Sequence, residues 1–494
     1  MQQIFAGPVP PRPRRKWPPR RRRGPQQESQ PMTVQLKKAP PAAAVPIVAV
    51  DRAGFAGLEA GLPAATRAWL AATGFKAAPD SFALVPGPDG RLGQVFAGVE
   101  HPAHPWALAA LPLALPEGVY QLADAGLALA PEAAAMSWEL GAYRFDLYKK
   151  PGRAPATLVL APSAAAGRGL ALATVIAATR DLVNTPAEAL GPAELAEAAA
   201  FVARQHGAKF KQVVGDELLK KGFPAIHAVG RAADPARAPR LIELNWGSDK
   251  HPRLTLVGKG VCFDTGGLDI KSAEGMRQMK KDMGGAANAL GLATLVMALE
   301  LPVRLQLLIP AVENAIAGNA YRPGDVFKTR AGLHIEIGNT DAEGRVILCD
   351  ALAYAAEHKP ALIVDLATLT GAARVALGPE LPALFTRDTK LARELVDLGL
   401  ALDDPLWHMP LWAPYKPGIA SDIADIVNTG KGPKGGAINA ALFLEYFVPA
   451  GQDWLHIDLY AANDGSRPGR PAGGEAQTIR TLLAWLERRF ASKG

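Results

Sequence analysis

Residues 254–299 read LTLVGKGVCFDTGGLDIKSAEGMRQMKKDMGGAANALGLATLVMAL, and the reading of this stretch decides the fold. It opens on a short apolar run of strand type, 254–257. It closes on an apolar helical run, 286–299, that contains Asn288 and stops at Glu300. That run falls short of the roughly 20 apolar residues a membrane span needs, so it reads as a core helix. Between the two lie Gly258, Gly260, Gly266 and Gly267, which allow tight turns and close approach of backbone to an ion or ligand. The same segment carries Lys259, Asp264, Lys271 and Asp282. Strand, glycine-rich loop, helix is the repeating unit of an α/β protein.

Outward from this stretch the second half of the chain keeps alternating. Strand candidates fall at 241–245, 304–310, 333–337, 362–366 and 455–459, and helix candidates at 343–357, 390–400, 438–447 and 475–490. This predicts a larger C-terminal domain with a mostly parallel central sheet flanked by helices, in which ligands gather at the carboxyl ends of the strands. A second motif, NTDAEGR at 339–345, follows the 333–337 run. Taken singly, Asp282, or the pair Asp341 and Glu343, reads as helix capping. Together, four acids (Asp264, Asp282, Asp341, Glu343) and two lysines (Lys259, Lys271) fall at one edge of one expected sheet, which is more than capping requires. Neither motif holds a histidine. The mixture suits hard divalent cations held by oxygen, with amines placed to meet developing negative charge.

Residues 32–167 read as a smaller N-terminal α/β domain, with apolar runs at 45–50, 93–99 and 157–160 and a helical pattern at 131–149. They carry no cluster of chemically active residues. Residues 168–185 form an expected linking helix that opens the 168–494 domain and ends at the breaker Asn184-Thr185-Pro186. Residues 1–31 are Pro/Arg-rich and expected to be disordered. They read as an inert tail, an extension ahead of a start at Met32, or a polybasic arm. They hold eight of the 54 Lys/Arg and one of the 47 Asp/Glu, so the +7 net charge belongs to them and the rest balances, 46 against 46. A basic body that binds nucleic acid is therefore not indicated. The 494 residues favour two domains over one core. The two cysteines, Cys262 and Cys349, exclude a disulfide framework and read as buried thiols in a reducing compartment. No apolar h-region of a secretory signal follows the N-terminal basic residues. The phosphate-loop spacing G-x-x-x-x-G-K-[ST] and the elbow G-x-S-x-G are both missing, and His251, His334, His408 and His456 are scattered.

VGKGVCFDTGG at 257–267, NTDAEGR at 339–345 and RDLVNTP at 180–186 together resemble the leucyl aminopeptidase (cytosol aminopeptidase) family of two-metal exopeptidases. The resemblance covers the chain well from Arg180 onward, loosely over 45–162, and not over 1–31. It implies one divalent metal on Lys259, Asp264, Asp282 and Glu343, and a second on Asp264, Asp341 and Glu343, with Mn²⁺ or Zn²⁺ as the ions and a shared water between them. It further implies Lys271 as the oxyanion stabiliser, and Arg345 as the holder of a bicarbonate general base. Met279, Thr368, Leu369 and Gly371 stand at substrate-pocket positions. Tyr460 and Asn463 depart from the family pattern and imply a smaller or more polar pocket. A cytoplasmic homohexamer acting on peptide substrates, with no membrane or nucleic-acid partner, completes the expectation. The alternative is a DNA-binding regulator on the same scaffold.

Overall fold

The computed structural model describes residues 32–491, so the expectations for residues 1–31 lie outside the described residues. The chain forms two α/β domains, a smaller N-terminal one and a larger C-terminal one. In the first, β1 (Val34–Leu36), β2 (Val45–Val50), β3 (Phe82–Pro86), β4 (Leu92–Gly98), β5 (Val119–Leu122) and β6 (Thr157–Leu160) make one sheet in the order β1-β6-β5-β2-β4-β3. Only the β3–β4 pairing is antiparallel. Its core closes over Trp138, fully buried, whose indole N–H donates to the Ala156 carbonyl at 3.1 Å. The Pro131–Ala142 helix is shorter than its sequence pattern because Tyr143 turns extended and its hydroxyl donates to Asp181 at 2.8 Å.

The Ala164–Asn184 helix leads out of this sheet, capped by the Ser163 hydroxyl, which accepts from Ala166 N. Near its start Arg168 reaches Glu132 at 3.2 Å and Glu487 at 2.5 Å, tying the helix to both halves. At its end the fully buried Arg180 makes a two-pronged bond to Glu475, 2.9 and 3.2 Å. That engagement holds Glu475 in a loop, so the last helix begins only at Ile479, later than the sequence pattern.

The larger domain is built on β7 (Lys209–Val214), β8 (Arg240–Trp246), β9 (Arg253–Gly258), β10 (Gly260–Asp264), β11 (Arg304–Asn314), β12 (Val326–Lys328), β13 (His334–Glu336), β14 (Leu362–Ala367), β15 (Ala383–Phe385), β16 (Trp407–His408), β17 (Ile426–Val427) and β18 (Trp454–Asp458). The central sheet runs β16-β15-β18-β14-β9-β11-β8-β7, with β10 on β11. It is parallel through β18, β14, β9, β11 and β10, and turns antiparallel towards both edges. Side chains alternate between two cores, as the pleat requires. Leu362, Val364 and Leu366 face the core that holds the Gly284–Ala298 helix, and Ile363 and Ala367 face the core that holds the Glu343–Glu357 helix. The Gly284–Ala298 helix is buried on nearly every side, which accounts for its lack of a polar face.

Two expectations about strands change as well. The segment after Gly258, read as a turn, forms a fifth parallel strand, because Gly260 to Asp264 pair with Ala311 to Asn314. The 333–337 run is not part of the central sheet: β13 pairs with β12 and β17 in a separate three-stranded sheet. Hydropathy shows that a strand is half buried but not which sheet its edges join.

Candidate active site

The parallel strands deliver their carboxyl ends to one place. Lys259 follows β9, Asp264 ends β10, Asn314 ends β11, Thr368 follows β14, and Asp458 ends β18. Asp341 and Glu343 arrive from the β13 side, Glu343 as the first residue of its helix. The structure thus gathers all six charged residues named from the two motifs. Asp264, Asp341 and Glu343 each offer an oxygen within 4.8 Å of the others. Asp282 is not a cap. It lies in the Met279–Met283 3₁₀ turn and is held by the Thr368 hydroxyl at 2.9 Å.

The two lysines differ. Lys259 Nζ is enclosed, 2.9 Å from both Asp282 and Glu343 and donating to the Thr368 carbonyl at 2.7 Å, with its side chain 3% exposed. Lys271 Nζ is 2.8 Å from Asp264 and touches Asp341, but its side chain is 16% exposed. One amine sits inside the cluster, and the other opens on the space in front of it. Two lysines against four carboxylates leave buried negative charge in excess. Burial first, then the neighbouring Asp264 carboxylate, push Glu343 well above the usual range and Asp341 up to about 6. Burial raises Asp282 too, against the pull of Lys259. Burial alone would lower Lys259, yet Asp282 and Glu343 outweigh it and raise the ammonium. Crowded oxygen donors without histidine or thiolate, three of them raised chiefly by burial, fit hard or borderline divalent cations.

The backbone shape is held by residues that carry no signal of their own in the sequence. Gly266, at φ +87°, turns where a Cβ would strike the Asp269 carbonyl at 2.5 Å. Asn314 Nδ2 donates to Asp264 at 2.8 Å and to the Thr340 carbonyl at 3.1 Å. Thr340 returns its hydroxyl to the Gly266 carbonyl at 2.6 Å. The Asn428 side-chain oxygen accepts from Gly338 N at 2.8 Å, and its backbone carbonyl accepts from Arg345 at 2.8 Å. Arg345 is buried, its Nε–H has no partner among the described residues, and burial pulls its guanidinium down to about 10.

The family model for the "Cytosol aminopeptidase family, catalytic domain" matches residues 177–483. The chain belongs to this family. A second model, "M17 aminopeptidase, N-terminal domain", matches residues 45–161. The chain is similar to the cytosol aminopeptidase of Coxiella burnetii, at 47% identity and a TM-score of 0.87 over 92% of this chain and 99% of that one. It is also similar to the bottromycin maturation enzyme BotP, solved in complex with Mn, at 34% identity and TM-score 0.81 over 91% of this chain and 100% of that one. A "Probable cytosol aminopeptidase" of Geobacter sp. (strain M21) is 41% identical over 73% of this chain and 76% of the relative. This cytosol aminopeptidase family member is a metallo-exopeptidase, a hydrolase of peptides.

The pocket positions lie beside the cluster. Thr368 is buried on Asp282, and Leu369 N donates to Asp458 at 3.0 Å. Met279 is half-buried, and Gly371 starts an exposed helix. Tyr460 is buried, its hydroxyl shared with Gln278 at 2.7 Å and Asp464 at 2.9 Å. Asn463 Nδ2 donates to Glu475 at 2.5 Å. The two cysteines are free and buried, and His456 is enclosed with Asp365 at 2.6 Å. No described helix is long and apolar enough to cross a membrane.

Proposed function

We propose that this aminopeptidase releases the N-terminal residue of peptides, leucyl-type substrates among them, through a site loaded with two divalent cations, Mn²⁺ or Zn²⁺. Lys259, Asp264, Asp282 and Glu343 hold one cation, and Asp264, Asp341 and Glu343 hold the other. When bound, the cations supply Lewis acidity to the scissile carbonyl and to the attacking water, and an anchor for the free α-amino group. The carrying observation is the convergence of four crowded carboxylates with one enclosed and one open lysine. The enclosed Lys259 fits a ligand, which must act as the neutral amine. The open Lys271 fits a permanent cation that meets the oxyanion as it develops.

Among the pocket residues none is free to take the proton from the attacking water: Asp458 is consumed by Leu369 N, Thr370 N and the Thr370 hydroxyl. Arg345, with its unpartnered buried Nε–H, supports the seating of a bicarbonate that does so. Thr368, Leu369, Met279 and Gly371 shape the pocket for the first side chain. We further propose that the enzyme works in the cytoplasm as a homohexamer.

The test is release of the first residue from a panel of aminoacyl p-nitroanilides by chelated protein, before and after readdition of Mn²⁺ or Zn²⁺. Metal-restored release is expected. Folded protein that releases nothing with either metal refutes the proposal.

A further inference from the structure

Beside the carboxylate cluster, and not part of it, two cations converge on one ring. Lys281 Nζ lies 4.8 Å from the centroid of the Tyr460 ring, and the Arg374 guanidinium also lies 4.8 Å from it. Lys281 is only 7% exposed, and Tyr460 is 8% exposed. Among the described residues neither cation has a hydrogen bond or an ion pair; the ring is the partner each has. The carboxylates in the neighbourhood are engaged elsewhere. Asp282 holds Lys259 and Thr368, Asp458 holds the Leu369–Thr370 turn, and Asp464 takes the Tyr460 hydroxyl. A buried ammonium whose one direct contact is an aromatic face, with Asp282 and Asp458 acting on it only from a distance, is under-compensated, since a cation–π contact offsets only part of lost hydration.

The location gives this pair of cations a meaning. Lys281 precedes Asp282 in the chain, and Arg374 sits one turn into the helix that follows Thr368–Thr370. That loop touches the cluster directly, through the Thr368 carbonyl on Lys259 and its hydroxyl on Asp282. On the aminopeptidase reading above, a peptide whose α-amino group is anchored at the cluster would extend its first side chain along this same loop.

We propose, resting on the aminopeptidase reading above, that Lys281 and Arg374, spaced by Tyr460, form a subsite for a carboxylate on that first side chain. The enzyme then favours N-terminal glutamate or aspartate, and the same two charges reject N-terminal lysine and arginine.

The experiment measures kcat/KM of the Mn²⁺-loaded full-length enzyme on peptides that differ only in their first residue: Glu, Asp, Leu or Lys. Each ratio to Leu is compared among wild type, Lys281→Met and Arg374→Gln. Lys281→Met is expected to lower the Glu:Leu ratio by about tenfold, and the exposed Arg374→Gln by about threefold, with the Lys:Leu ratio rising in both. Using ratios removes any general loss of activity. Because Arg374 is exposed, Arg374→Gln carries the test on its own should Lys281→Met fail to fold. Ratios that stay at the wild-type value overturn the subsite while leaving the peptidase standing. A wild-type enzyme that releases no residue from any peptide overturns the activity, and the subsite with it.

Discussion

Asn314 gives the sharpest test of how the site is held, because it bears no charge and touches two parts of the cluster. Replacing it with leucine keeps the volume and removes both donors. The bond to Asp264, 2.8 Å long and to a charged acceptor, is worth about 1.5–3 kcal/mol. The bond to the Thr340 carbonyl, 3.1 Å, matters less, because that carbonyl also accepts from the Tyr321 hydroxyl and is not orphaned. Asp264 Oδ1 keeps only the Gly266 N–H at 2.9 Å, and with Lys271 on the other oxygen at 2.8 Å the carboxylate is held less firmly in its orientation. Loss of such an orienting partner lowers metal affinity by about 10–100-fold. Calorimetric titration of Mn²⁺ into chelated protein reads this directly, and the Mn²⁺ concentration giving half-maximal hydrolysis should shift in step. A leucine variant with a lower melting temperature but unchanged Mn²⁺ affinity would refute the argument, since Asn314 would then be packing alone.

Other expectations are simpler to state. Lys271→Ala should lower kcat by about 10²–10³-fold with circular dichroism unchanged, as removal of one oxyanion donor does; Glu343→Ala should abolish turnover, and wild-type rates in either would sink the assigned roles. Gly344→Ala puts a Cβ 2.6 Å from Lys259 Cε and 2.8 Å from its Nζ, displacing the enclosed amine, so kcat/KM should fall by about a hundredfold without unfolding. Metal removal should leave the protein folded, because Lys259 and Lys271 already neutralise part of the cluster; restoring Mn²⁺ at a hundredfold excess over Kd should add about 2.7 kcal/mol, read as a rise in Tm. Trp138→Ala should cost about 3–5 kcal/mol, seen by denaturant unfolding, because the indole is fully buried in the N-terminal core.

How far the sequence discloses this molecule depends on what kind of force places each residue. Gly258-Lys259-Gly260 and Asp341-Ala342-Glu343 are legible because charge on a glycine-rich turn between a strand and a helix has few structural uses. The strands β9, β14 and β18 are legible for the same local reason, an apolar run bounded by breakers. What pairing decides is not local. β10 holds Cys262, Phe263 and Asp264 in a run broken by glycine, and it becomes a strand only because β11 extends to Asn314 and offers its edge. β13 alternates like any half-buried strand, but its hydrogen bonds go to β12 and β17.

The positioning residues are hidden more deeply. Asn314, Thr340 and Asn428 act by one amide or hydroxyl on a partner remote in sequence; Asn314 reaches across 50 positions to Asp264, and Asn428 across 90 to Gly338. Nothing about an isolated asparagine at the end of a strand distinguishes that from a solvated turn. Lys281 shows the opposite difficulty. In the run Met279-Lys280-Lys281-Asp282 both lysines look like surface charges, and the chain sends them to different fates. Lys280 donates to the Asn184 carbonyl at 2.6 Å, whereas Lys281 folds inward against Tyr460. Tyr460 departs from the family pattern in the sequence, which implies a smaller or more polar pocket. Its consequence is electrostatic as much as steric, since a ring that fills space also offers its face to two cations. The carboxylate cluster is thus written in its own residues, while the cations packed beside it are legible only from their neighbours.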